Sequence, residues 1–274
     1  MMELKTITLT YDEEVGILTL NRPERNNAWT GRMHAEYRFA LASLADNDAV
    51  GAIVVTGRGR SFCVGADRAA LNHHVEQGGY DPGTPSVMAM PGYGVRPEFD
   101  ASFAYQFGVP KPIIAAINGP AAGVGLAIAM FADLRFAVAG VNCSSAHGKL
   151  NFPAEYGLSW ILPRTIGSTR ANDLLLSSRK FSTDEAMAFG MLNGLFTPET
   201  LMPEVLNYAK HMVRANAPSA LAVTKYQLYL DWHRDVASSV HFSEQRISTM
   251  SRTRDYKEGV AAYLEGRAPV WENH

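Results

Sequence analysis

Thr6 to Tyr11 alternates apolar and polar positions, and Val15 to Leu20 repeats the alternation after the acidic turn Asp12-Glu13-Glu14. That pattern predicts two strands joined by a short turn, the second ended by Asn21-Arg22-Pro23. From Thr30 to Leu44 the period changes: Met33, Tyr37, Ala40, Leu41 and Leu44 recur at three- and four-residue spacing, which predicts a helix. Ala52-Ile53-Val54-Val55-Thr56 reads as a buried strand closed by the turn Gly57-Arg58-Gly59. The unit then returns, with a strand at Ile113 to Ile117, a glycine-bearing turn, an alanine-rich helical pattern and a strand at Leu134 to Val138. This alternation predicts an α/β layered core built from a repeating ββα unit. Past Ser168 the chain turns helical, with helices expected at Arg170 to Ser177, Thr183 to Gly190 (capped by Thr183), Thr200 to Asn216, Ser219 to Tyr229 and Phe242 to Ser251. A boundary near residue 200 divides a core of residues 1–200 from a helical region of residues 201–274 suited to covering the core or docking on a neighbouring subunit. Between the two halves of the core, His73 to Asp100 is rich in Gly, Pro and Met and has no clean period, so it is expected to be a long loop.

Composition narrows the setting. With 274 residues and 47% hydrophobic content the chain can bury a full core. A net charge of −2 offers no basic footprint for nucleic acid or an anionic membrane. Cys63 and Cys143 make neither a metal-ligand spacing nor a disulfide framework, which favours a reducing, cytoplasmic compartment. No metal site is expected. Met1 to Lys5 lacks the apolar core of a signal peptide. The apolar run from Ile113 to Ala132 holds Asn118, Pro120 and three glycines and ends at Asp133, so it is read as strand, turn and helix rather than a membrane span.

Two segments carry the chemistry. Ser61-Phe62-Cys63-Val64-Gly65-Ala66-Asp67 and Lys111 to Gly125 each run from an apolar stretch through a glycine turn into a helical pattern. Such turns leave backbone N–H groups unpaired at a helix start. Two of them facing each other would form a two-donor hole for a developing oxyanion. Gly123-Val124-Gly125 matches the dinucleotide fingerprint only loosely: five residues separate it from the strand, and Cys143 stands at the expected acid position. Asp67 and Asp133 read as turn and capping residues. His73 and His74 fall in the polar loop, where exposure is expected. Lys225 and Tyr226 read either as a solvated helix face or as groups approaching a neighbouring subunit's ligand, and Trp271 as a packing residue.

At these residues the chain resembles the crotonase superfamily, the enoyl-CoA hydratase/isomerase family. The likeness runs from Leu18-Thr19-Leu20-Asn21-Arg22-Pro23 to Lys225. It is strongest at Phe62-Cys63-Val64-Gly65-Ala66-Asp67 and at Lys111-Pro112-Ile113-Ile114-Ala115-Ala116-Ile117-Asn118-Gly119. The resemblance implies a crotonase-like spiral of ββα turns, a C-terminal helical region that builds homotrimers or hexamers, and an acyl-CoA substrate, with coenzyme A part of that substrate and no separate cofactor. Carried over by position, the thioester oxygen would sit between the amides of Ala66 and Val124. Arg25, Asn26 and Ala28 would lie along the CoA moiety. Cys63, Val64, Gly65, Asp67, Gly123, Tyr156 and Trp160 complete the expected substrate contacts.

The resemblance also bears on the reaction. Hydratases of this family hold water with two glutamates, but here those positions fall at Ala127 and His147. Glu155, in Pro153-Ala154-Glu155-Tyr156-Gly157, is similar in placement to the single catalytic glutamate of Δ3,Δ2-enoyl-CoA isomerases. One carboxylate suffices to take a proton from C2 and return one to C4. His147 is similar to a histidine of crotonase-like β-diketone hydrolases, so a His147–Glu155 pair activating water is an alternative. Hydration by non-standard groups and a non-catalytic CoA-binding protein are the others. The loop from His73 to Asp100 is expected to set acyl length and shape.

Overall fold

The computed structural model describes residues 3–78, 97–99 and 101–272. β1 (Ile7–Asp12) pairs antiparallel with β2 (Val15–Leu20), and β3 (Ala52–Gly57) and β4 (Ile113–Ile117) add parallel to it in turn. β5 (Ala121–Ala122) leaves this sheet, which resumes with β6 (Leu134–Val138) and later β9 (Gly194–Phe196). A second, three-stranded sheet joins β5 to β7 (Asn142–Ser144) and β8 (Phe181–Ser182). Isolated bridges extend it, pairing Trp29 with Ala66 and Cys63 with Ala121. Each winding of the chain thus contributes first to the large sheet and then to the small one, which is the spiral of repeated ββα units.

Successive strand residues face opposite sides, and here both sides are covered. Ile53, Val55, Ile113 and Ala115 join the main core with Met33, Tyr37, Leu41 and Leu44 of α1 (Gly31–Ala45). Ala52, Val54, Ile114 and Ala116 join a second core under Leu201, Val205, Ala209 and Val213 of the long helix Leu201–Ala215. Burial on both faces is why these strands read as continuous apolar runs rather than alternations. Thr30 fixes the start of α1 by accepting from the Met33 amide at 3.2 Å.

The helices differ from the sequence reading in several places. Arg68–Gln77 is helical (α2), so His73 and His74 lie on a helix rather than in the loop; the rest of that loop falls largely outside the described residues. After α3 (Val124–Met130), helix begins again at Leu158, ten residues before the expected onset: α4 (Leu158–Ile166) carries Pro163 inside it and is followed by α5 (Ser168–Ser177). In α6 (Thr183–Ala188) the cap is Ser182, whose hydroxyl accepts from the Glu185 amide at 3.1 Å; Thr183 is fully buried and donates to Val138 O instead. Beyond Leu201–Ala215 (α7) come α8 (Pro218–Leu230), α9 (Val236–Met250) and α10 (Arg254–Glu265). α9 starts six residues before the expected Phe242 because Asp235 caps it, accepting from the Ser238 amide at 2.9 Å.

Lys225 is a further correction. It is not on a solvated face but buried on α8, 2.8 Å from Asp133, donating also to Gln106 O at 2.8 Å and Lys111 O at 3.0 Å. Asp133 in turn accepts from the Ile113 amide and the Tyr229 hydroxyl, so one carboxylate ties β4 to the helical tail. Trp271 packs near Gly259 and donates to Arg214 O at 3.1 Å. Among the described residues, no helix is long and apolar enough to cross a membrane.

Candidate active site

The two glycine turns meet. Cys63 is held on both sides of Ala121: its amide donates to Pro120 O at 3.2 Å and its carbonyl accepts from the Ala122 amide at 2.9 Å. Two residues on, the Trp29 amide donates to Gly65 O at 2.8 Å, and the Asp67 amide donates to Trp29 O at 3.0 Å. In a parallel bridge of this kind the flanking peptides make the bonds, so the Ala66 N–H is turned away from Trp29. Among the described residues no hydrogen bond engages it. Gly65 makes the bend at φ +94°, where an added Cβ would lie 3.2 Å from Ala122 O.

The second turn is built against the first. The Gly123 amide donates to Ser144 O at 3.0 Å, and Gly123 takes φ +50° and ψ −116° before Val124 opens α3. As the first residue of a helix, Val124 has no carbonyl four residues back in the helix for its N–H to meet. The Cβ position of Gly123 lies 3.8 Å from the Gly65 Cα, so the backbones of the two turns are in contact. Gly125 closes the approach further: a Cβ there would stand 2.1 Å from Cys63 O.

Glu155 arrives at the same place. It begins a short 3-10 turn, Glu155–Gly157, in which Tyr156 takes φ +49° and Gly157 φ +79°. Its Oε2 lies 3.7 Å from the Cβ position of Gly123. The side chain is half-buried, and burial raises its pKa above the usual carboxylate range. Among the described residues no hydrogen bond or ion pair reaches that carboxylate. Ala127 is fully buried on α3. His147 is buried, with Nδ1 unpartnered, and no hydrogen bond joins it to Glu155 among the described residues. The buried Ser145 hydroxyl, likewise unpartnered, was missed by sequence reasoning; the Ser145 carbonyl lies 3.9 Å from the Gly123 Cβ position.

The strip after β2 is bolted to the first turn. Asn27, fully buried, accepts from the Arg22 amide and donates to Arg58 O and Ser61 O. Arg22 donates to Ala28 O and pairs with Asp67 at 3.0 Å. Asn26 accepts from Arg60 Nε at 3.1 Å, and Arg25 is exposed beside it. The side chains of two expected substrate contacts are engaged within the protein here. The Asp67 carboxylate is used by Arg22 and by the Ala69 amide at 2.9 Å, which holds its pKa down against burial. The Cys63 side chain is fully buried and its thiol is pushed up to about 12, so only its backbone serves the turn. Val64 is partly exposed.

Tyr156 and Trp160 line a cavity of about 460 Å³ with Phe99, Phe107 and Phe131. The Tyr156 ring meets Phe103 edge-on at 5.1 Å, and Phe103, itself at φ +64°, also meets Trp29 at 5.5 Å. Phe103 thereby links the wall behind Ala66 to the residue after Glu155. Nothing in its local sequence signals this role. A separate cavity of about 470 Å³, between Pro110–Pro112, the start of α8 and the start of α10, contains none of the candidate residues.

A family model described as enoyl-CoA hydratase/isomerase matches residues 10–274. The chain belongs to the enoyl-CoA hydratase/isomerase family. Among its relatives in the family, the 1,2-epoxyphenylacetyl-CoA isomerase of Escherichia coli is 31% identical over 270 residues, 98% of each chain. A probable enoyl-CoA hydratase of Mycobacterium tuberculosis is 33% identical over 267 residues, covering 94% of this chain and 89% of the relative. The crystal structure of an enoyl-CoA hydratase subunit from Geobacillus kaustophilus superimposes with a TM-score of 0.84 at 28% identity, covering 99% of both chains. The family's fold is the spiral described above, and its named relatives are enzymes.

Proposed function

We propose that this enzyme binds an unsaturated acyl-CoA, holds the thioester oxygen between the amides of Ala66 and Val124, and uses Glu155 to move a proton from C2 to C4, as in a Δ3,Δ2-enoyl-CoA isomerase. One observation supports this reading above the others: the site has a single carboxylate without a protein partner among the described residues, and it stands over the contact between the two glycine turns. A raised pKa suits a base that must take a proton from a weakly acidic carbon and give it back. The two amides stabilise charge on the dienolate oxygen, which forms only after proton removal, so they act on the transition state more than on the bound substrate. Arg25 and Arg60 face solvent beside Asn26, where CoA phosphates would meet guanidinium groups.

A second reading is favoured by a different observation. The unpartnered Nδ1 of His147 and hydroxyl of Ser145, both buried, suit a polar group or a water. On that reading Glu155 and His147 activate water for addition or for C–C cleavage. Assembly as a homotrimer or hexamer belongs to the proposal too: α9 has no buried residue, and Val236, Val240 and Ile247 on it are exposed.

The readings separate in one assay. Incubation with a 3-enoyl-CoA should raise conjugated-thioester absorbance, and incubation with a 2-enoyl-CoA should leave it nearly unchanged. Loss of absorbance from the 2-enoyl-CoA favours hydration instead. Glu155→Gln should abolish turnover while CoA binding persists; unchanged turnover in that variant removes Glu155 from the mechanism.

A further inference from the structure

Resting on the acyl-CoA reading above, we infer that the acyl group this enzyme takes carries an aromatic ring at its far end, seated in the cavity of about 460 Å³ lined by Tyr156 and Trp160. The cavity begins where the candidate site ends. Tyr156 and Gly157, which follow Glu155 directly, form part of its wall. Phe131, the residue after α3, forms another part. From Val124, whose amide opens that helix, to Phe131 is seven residues, about 10 Å at 1.5 Å per residue. An acyl group several carbons long, held by its thioester at the glycine turns, spans that distance.

The lining then selects the chemistry. Among the described residues, every large apolar side chain on the wall is aromatic: Phe99, Phe107, Phe131, Tyr156 and Trp160. The aliphatic lining stops at Ala101 and Ala104. A saturated chain gains from any apolar wall in proportion to the area it covers. A ring gains this and, in addition, edge-to-face or offset contacts with other rings. Two pairs of wall rings are in contact: Phe107 meets Phe131 tilted at 5.2 Å and 60°, and Trp160 stacks on His233 at 5.9 Å and 18°. Rings that line the cavity offer edges or faces to a further ring placed inside it. Gly157 keeps the wall close to Phe131, since a Cβ there would stand 3.0 Å from the tip of that ring. Ser102 and His233, both exposed, lie on the lining and mark its open side. The volume falls within the range of small-ligand sites, on the order of 300–1,000 Å³, and exceeds what a short unbranched chain fills.

The test uses saturated thioesters, which the proposed reaction does not consume. Binding of 4-phenylbutanoyl-CoA and decanoyl-CoA, with equal carbon counts, is compared by titration calorimetry on the full-length chain, with free CoA as reference. The phenyl compound should bind at least about tenfold more tightly than the straight chain. Phe131→Leu should cut that preference several-fold. Equal affinity, tighter binding of decanoyl-CoA, or a preference untouched by Phe131→Leu overturns the inference and leaves the acyl-CoA reading standing. If neither thioester binds more tightly than free CoA, the acyl-CoA reading itself fails. The comparison on the parent chain decides the matter even if the variant does not fold.

Discussion

Replacing Gly125 by alanine sets two physical effects against each other. Intrinsic helix propensity favours alanine over glycine by about 1 kcal/mol inside a helix. The site says the reverse. The new methyl would stand 2.1 Å from Cys63 O, 2.8 Å from Cys63 Cβ and 2.9 Å from Cys63 C, all of them atoms of a residue clamped to Pro120 and Ala122 by backbone hydrogen bonds. No flexible side chain is available to move, so the start of α3 must retreat from the Cys63–Asp67 turn by about 1 Å, a displacement that can cost roughly a hundredfold in rate where geometry positions the reacting groups. Losing one donor of an oxyanion hole outright costs about 10² to 10³ in kcat. Gly125→Ala should therefore lower kcat on a 3-enoyl-CoA by about a hundredfold and destabilise the fold by about 1–3 kcal/mol, the usual range for overpacking. KM should move little, because the strip from Arg22 to Ala28 is untouched. Gly259→Ala is the control: that helical glycine meets Trp271 at an ordinary 3.4 Å, and the variant should keep its activity. Initial rates from thioester absorbance and thermal unfolding supply both numbers. A Gly125→Ala enzyme within threefold of the parent kcat would refute the view that the spacing of these two turns controls the chemistry.

Lys225→Met should destabilise the fold by about 3–5 kcal/mol, since it leaves the largely buried Asp133 carboxylate without its cation; denaturant unfolding measures it. Burial raises the Glu155 pKa, so between the ordinary carboxylate range and that raised value the folded chain holds a proton the unfolded chain has lost. Stability from this group is therefore present at low pH and is lost as pH rises through that window. Glu155→Gln should unfold at a higher temperature than the parent at pH 8, with the gap closing towards pH 4; a constant gap across pH contradicts this. For the parent, kcat should climb with pH along a limb displaced above the ordinary carboxylate value. Cys63 and Cys143 are buried, with thiols pushed up to about 12, so neither should react with a disulfide reagent at pH 8 until the chain unfolds, as counted by thiolate release.

The parts of this architecture legible in the sequence are those where local pattern and tertiary role agree. The double-faced strands at Ala52 and Ile113 show themselves as apolar runs, and the glycine turns stand out because Gly65 and Gly123 occupy backbone angles other residues avoid. Strands of two or three residues, such as β5 and β8, are too short to show a period. α4 was hidden by Pro163, which is tolerated in the helix beyond its first turn. Lys225 sits at a position whose residue type signals solvent, and only the fold supplies Asp133, from ninety residues upstream, to hold it. In the candidate site, Ala66, Val124 and Glu155 are named through the family resemblance, and the fold brings the two turns and the Glu155 carboxylate together. Phe103 and Ser145 could not be named, because what distinguishes them is a ring contact and an unpartnered hydroxyl made by distant chain segments.

The clamp proposed for the carbonyl is made of peptide groups, with a consequence for how such a chain changes over time. Every residue except proline brings its own N–H, so no ordinary substitution at Ala66 or Val124 deletes that hydrogen donor. On the same proposal, the groups that decide the reaction, at positions such as 127, 147 and 155, are side chains and can be exchanged one at a time. A lineage built this way can try new acid–base partners around an electrophile it has never let go.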